Sequence, residues 1–86
     1  MKISVELTFS PLQDDFEQPI IHFIKKLRNS GLKVLENPLS TQVYGDYDKV
    51  MHILTVEIKE AMELVERGLM YIKIVKSDRY DYEPHF

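Results

Sequence analysis

Cysteine is missing from all 86 residues, and that one absence removes disulfide staples, thiolate metal sites and cysteine nucleophiles together. A chain without disulfides suits a reducing compartment, and a cytoplasmic location is the expectation. Positive charge is thin as well: 11 Lys and Arg stand against 14 Asp and Glu, a formal net charge of −3. Nothing basic is concentrated enough to grip a phosphate backbone, so nucleic acid is not expected as a partner. Long apolar runs are lacking. The N-terminal stretch meets Glu6 too early to read as a signal peptide, and no run approaches a bilayer span, so no membrane partner is expected. Only three glycines occur, and no phosphate cradle, nucleophile elbow or zinc-protease helix can be found. His22, His52 and His85 are scattered, and Asp48 with His52 would give a metal only two ligands. No cofactor is expected, and the absence of a catalytic constellation leads to the expectation that the chain is not an enzyme.

What is present is a regular alternation of patterns. Ile3, Val5, Leu7 and Phe9 alternate with Ser4, Glu6 and Thr8, the period of a half-buried strand. After Ser10-Pro11 comes a helix marked by Phe16, Ile20, Phe23, Ile24 and Leu27, with Asp14 and Glu17 spaced like a capping box. Pro19 either removes one helical hydrogen bond or marks the true helix start, and Ser30-Gly31 ends the helix. A second strand is expected over residues 32–36 and a third over 40–45, with Asn37-Pro38 between them. A second helix is expected from about Asp48 to Arg67, with Asp46 or Asp48 as its cap, and a fourth strand from Leu69 to Val75.

Strand, helix, strand, strand, helix, strand is the split βαβ order. It implies an α+β ferredoxin-like sandwich, a four-stranded antiparallel sheet with both helices on one face. Right-handed crossovers place the first and third strands in the middle. Ile3, Val5, Leu7, Phe9, Val43, Ile72 and Ile74 then face the helices, while Ser4, Glu6, Thr8, Gln42, Tyr44, Tyr71, Lys73, Leu35 and Val75 face away. One ligand-binding domain is expected over residues 1–76 and a tail over 77–86. A domain this small gains by burying apolar area against another copy, and the open sheet face is the expected surface. Tyr80 and Tyr82 of the tail are expected to pack on that neighbour.

The stretch Ser40-Thr41-Gln42-Val43-Tyr44-Gly45-Asp46 places hydroxyls and an amide on a rigid strand end beside a turn. Such groups suit hydrogen bonding to a small flat ligand. Together with Phe9-Ser10-Pro11-Leu12 and Asp14-Asp15-Phe16 after the first strand, this stretch resembles the YkoF-like family of thiamine-binding proteins. The resemblance runs from the first strand to the fourth, though an aromatic residue often precedes the proline in that family and Ser10 stands there here. It implies non-catalytic binding of thiamine or its hydroxymethylpyrimidine half, for capture, carriage or sensing, by a homodimer or homotetramer.

The candidate ligand-binding residues are Thr41, Ser40, Gln42, Glu6, Phe9, Ser10, Tyr44 and Tyr71. Thr41 is carried by the family motif. It either bonds the ligand or satisfies backbone near Pro38. Strand alternation puts Thr41 on the helix side and Ser40 with Gln42 on the open side, so the three share one pocket only if the strand end twists. Glu6 either accepts from an amino group and offsets the thiazolium charge or pairs with Lys73. Phe9 either stacks on the ligand or fills the core. Tyr44 and Tyr71 offer a cation–π wall or an interface. Two other readings use the same fold: a regulatory module for another small metabolite, and a protein-interaction domain working through its open sheet face.

Overall fold

The computed structural model describes all residues, 1–86. The chain folds as β1 (Lys2–Pro11), α1 (Glu17–Arg28), β2 (Lys33–Glu36), β3 (Thr41–Asp46), α2 (Tyr47–Glu63) and β4 (Gly68–Val75). The four strands form one antiparallel sheet in the order β2-β3-β1-β4, so the ferredoxin-like sandwich expected from the pattern is the fold. Register follows the alternation of β1: Val5 stands opposite Val43 on one side and Ile74 on the other, and Leu7 opposite Thr41 and Ile72. Ile3, Val5, Leu7, Phe9 and Val43 meet Phe23, Leu27, Val50, Leu54 and Ala61 of the helices in one core. No helix is long and apolar enough to cross a membrane.

Local chemistry corrects several element boundaries. Pro11 belongs to β1. Leu12 N–H donates to Arg67 C=O at 2.9 Å, which turns the nitrogen of its neighbour Pro11 to the opposite side, where β3 has already ended. No ladder bond is lost. Helix α1 begins at Glu17, after Phe16 at the cap position, and no side chain caps it. Pro19 therefore falls in the first turn, where backbone N–H groups have no helical partner anyway. Gly31 takes φ of +86°, a left-handed turn that reverses the chain into β2.

Helix α2 follows β3 without a loop. It stops at Glu63, four residues before the expected Arg67, as Leu64 and Val65 tighten into turns against Ala61 and Met62. That unwinding brings Val65 under Gly68, where an added Cβ would lie 3.3 Å from Val65 and 3.2 Å from Phe9. Leu64, just past the end of the helix, is exposed.

The interface between the two helices holds one strained charge. Glu57 leaves its Oε1 buried without a partner, while neighbouring Glu60 is within 3.6 Å of His22 and 3.7 Å of Lys26. Burial pushes the Glu57 carboxyl above its ordinary range; Lys26 opposes the shift, Glu60 adds to it, and His22 opposes it weakly. A carboxyl that holds its proton more tightly when folded costs nothing below its unfolded value. Its cost grows as pH rises through the raised folded value. Glu57→Gln is therefore expected to stabilise the fold by about 0.5–1 kcal/mol at about pH 7, a melting point higher by roughly 2–8 °C. The advantage should fade by about pH 4. Thermal melts at the two pH values check it, and an equal gain at both would refute the electrostatic account.

Candidate functional site

Two concavities flank the sheet, one on its helix side and one on its open face. The first is a slot of about 90 Å³ on the helix side, between the end of β1, helix α1 and the β2–β3 loop. Leu7 and Phe9 form its sheet wall, Ile20, Phe23 and Ile24 its helix wall, and Asn37 through Thr41 close it. Phe9 and Phe23 meet edge to face with ring centroids 5.7 Å apart, which fixes both rings as rigid walls. The sequence explains the loop: Asn37 Oδ1 accepts from the N–H groups of Leu39 (2.8 Å) and Ser40 (3.0 Å), an Asx turn. Thr8 Oγ1 donates to Leu39 C=O at 3.2 Å and ties the loop to β1.

Thr41 lies in this slot with only 6% of its surface exposed. Its hydroxyl makes no hydrogen bond within the protein, so the backbone partner near Pro38 that would explain it structurally is not there. Glu57 Oε1 is the one buried side-chain oxygen without a partner, so the Thr41 oxygen is reached from the slot, where it is free for a ligand.

The second concavity, about 300 Å³, lies on the open face of the sheet. Glu6, Gln42 and Tyr44 line it from the sheet with Ser4, Lys73 and Val75, and Arg79 and Tyr82 close it from the tail. A polar chain runs along its edge: Gln42 Nε2 donates to Ser40 Oγ at 2.6 Å, and Ser40 Oγ donates to Glu6 Oε2 at 3.0 Å. Lys73 Nζ stands 3.5 Å from Glu6 Oε1, so the sequence alternative of a cross-strand pair is realised without removing Glu6 from the cavity. Burial raises the Tyr44 phenol above its usual value, with Glu6, Asp78 and Tyr80 adding to the shift. That phenol stays a neutral donor at physiological pH.

Strand alternation thus separates the candidates as it should. Thr41 and Phe9 are in the slot, Glu6, Gln42 and Tyr44 in the open-face cavity, and Ser40 lines the slot while hydrogen-bonding Glu6 and Gln42 of the cavity. Ser10, opposite Leu69, and Tyr71, opposite Thr8 and 61% exposed, lie outside both concavities. The helix wall of the slot was missed in the sequence, because Ile20, Phe23 and Ile24 read there only as a core stripe. Asn37 was missed because Asn-Pro reads as a strand breaker.

The tail also lies elsewhere than expected. Tyr80 packs edge to face on Tyr44 of its own chain at 5.3 Å, with Lys33 Nζ 4.7 Å from the Tyr80 ring centre. Ser4 Oγ donates to Ser77 C=O at 2.7 Å and accepts from Arg79 N–H at 2.9 Å. Tyr80, expected on a neighbouring copy, therefore folds back on its own sheet, and Ser4 is buried beneath the strap.

The sequence model of a family described as thiamine-binding protein matches residues 5–85. Among solved structures, a protein of Streptococcus pneumoniae is 25% identical over 91% of this chain and 89% of its own, with a TM-score of 0.84. A Thermotoga maritima protein, provisionally described as acting in thiamine biosynthesis or salvage, is 20% identical over 90% of this chain and 85% of its own. Its TM-score is 0.81. No curated protein matches the chain in sequence.

Proposed function

The chain belongs to the family of thiamine-binding proteins, and from that footing we propose that it binds thiamine or its hydroxymethylpyrimidine half without transforming it. The pyrimidine ring enters the slot, stacked between the aromatic and aliphatic walls of β1 and α1. The observation that carries this reading is Thr41: a side chain 6% exposed, its hydroxyl unpaired, set in the wall of an apolar slot. An aminopyrimidine offers ring acceptors and an amino donor at the edge of a flat apolar disc, and one hydroxyl can serve either. The cationic thiazolium of thiamine leaves the slot past Ser40, toward the Glu6 carboxylate that Ser40 already contacts. We further propose a cytoplasmic, self-associating protein that captures, carries or senses its ligand.

Titration calorimetry with thiamine, hydroxymethylpyrimidine and the isolated thiazole alcohol tests this. Heat from the first two and none from the third is the expected result. Silence from thiamine and the pyrimidine at millimolar concentration would overturn it. A protein-interaction role working through the open face is less well supported, because Tyr80 of the same chain already covers Tyr44 there.

A further inference from the structure

We propose that Asn37 is the specificity-determining residue of the slot. Its side-chain amide donates to the ring nitrogen beside the amino group of the pyrimidine, so that a 4-amino ring is accepted and a 4-oxo ring is refused. This rests on the pyrimidine reading above and names the feature of the ligand that the slot reads.

The amide is held in one orientation by its own loop. Asn37 Oδ1 accepts from Leu39 N–H at 2.8 Å and from Ser40 N–H at 3.0 Å, and Asn37 N–H donates to Ser40 C=O at 3.1 Å. Two backbone donors on one side-chain oxygen decide which end of the amide is which: a flipped amide would set its NH2 against both N–H groups. The NH2 is therefore left over, with no acceptor in the protein, on a residue that lines the slot.

The other donors of the loop are spent. Pro38 has no N–H, and those of Leu39 and Ser40 go to Asn37 Oδ1. Thr8 Oγ1 gives its proton to Leu39 C=O at 3.2 Å, and Ser40 Oγ gives its proton to Glu6 Oε2 at 3.0 Å. The remaining walls of the slot are aliphatic and aromatic. Two side-chain donors stay open to a ligand there: the Thr41 hydroxyl and the Asn37 amide.

These two differ in kind. A hydroxyl donates or accepts, whereas an amide nitrogen only donates, whatever the pH. A 4-aminopyrimidine carries a donor, its amino group, next to an acceptor, the adjacent ring nitrogen. Thr41 accepts from the amino group and Asn37 donates to the nitrogen. In a 4-oxo pyrimidine that same nitrogen carries a proton, so donor faces donor and neither is satisfied. Thr41 does not discriminate, because its hydroxyl can turn to donate to the oxo oxygen. Asn37 has no such freedom, since turning it would break both bonds to Oδ1. A site that leaves a polar group unpaired rejects an analogue far more strongly than one that merely loses a methylene contact.

Asn37→Asp separates this role from the structure of the loop. Aspartate forms the same turn through one carboxylate oxygen, while its second oxygen puts an acceptor where the parent has a donor. The probes are hydroxymethylpyrimidine and its 4-oxo analogue, both uncharged in mildly alkaline buffer, so the new carboxylate acts through hydrogen bonding and not on a thiazolium charge. Titration calorimetry is run on the full chain, with thermal melts alongside. The parent is expected to favour the amino ring by about tenfold or more, and Asn37→Asp to reverse that preference at a melting temperature close to the parent's. Asn37→Ala removes the donor without supplying an acceptor, and its preference should fall toward unity whatever happens to stability. Where Asn37→Asp fails to fold, the ratio in Asn37→Ala decides alone. A parent that binds both probes equally, or variants that keep the parent's ratio, overturn the assignment while leaving the pyrimidine slot standing. Loss of both probes in both folded variants gives Asn37 a structural role only and overturns it too. A parent that binds neither probe refutes the slot reading itself.

Discussion

Phe23→Ala is expected to lower the melting temperature by roughly 12–40 °C, the largest single effect foreseen for this chain. Phe23 is 2% exposed and joins core and slot at once. Truncating a fully buried phenylalanine costs about 3–5 kcal/mol, part of it transfer and part the cavity left behind, and each kcal/mol is worth roughly 4–8 °C in a domain of this size. The total stability of such a domain is itself only about 5–15 kcal/mol, so much of the reserve goes with one ring. Phe23→Leu is the milder companion, costing about 1 kcal/mol or a little more. It should stay folded yet lose the edge-to-face contact with Phe9. If the slot holds the pyrimidine ring, Phe23→Leu weakens ligand binding even where it remains fully folded. A leucine variant with unchanged stability and unchanged affinity would show that Phe23 is neither a tight core residue nor a slot wall.

Much of this architecture is legible in the chain because β1 alternates cleanly. Ile3, Val5, Leu7 and Phe9 on one side, with Ser4, Glu6 and Thr8 on the other, specify a half-buried strand, and its faces set the faces of β3 through register. That logic separates Thr41 from Ser40 and Gln42 before any coordinates exist. It fails where a residue's role depends on what covers it. Ile72 and Ile74 carry the correct parity but remain half exposed, since neither helix reaches the outer strand and periodicity says nothing about how far a helix extends sideways. Ile20 and Ile24 show the opposite case: their helical spacing is that of core residues, yet at the sheet end they help wall a slot. Tyr80 and Tyr82 have no period at all. Their aromatic character signals packing, but only the structure reveals that Tyr80 packs on the chain's own Tyr44, with Ser4 holding the tail there, while Tyr82 stays 66% exposed. Asp14 and Glu17 have the spacing of a cap without its geometry, because Phe16 takes the cap position.

Thr41→Val is the substitution in which stability and affinity should part company. Valine keeps the branched shape that a strand prefers and fills the same buried place, 6% exposed beside Leu7 and Phe9. Because the threonine hydroxyl bonds nothing in the protein, its removal leaves no internal partner stranded, and the folded chain should be unchanged or slightly more stable. The ligand loses one hydrogen bond, about 1–1.4 kcal/mol, which corresponds to roughly a five- to tenfold weaker Kd for thiamine. Thr41→Ser is the control. It retains the hydroxyl but gives up the methyl group, so its affinity should stay within about threefold of the parent while its melting temperature falls. Calorimetry and thermal melts on the three proteins separate the cases. Loss of affinity in both variants would point to slot shape instead of the hydroxyl. Parent-like affinity in Thr41→Val would remove Thr41 from the site, and the pyrimidine would then have to be recognised by Ser40 or Asn37 at the loop.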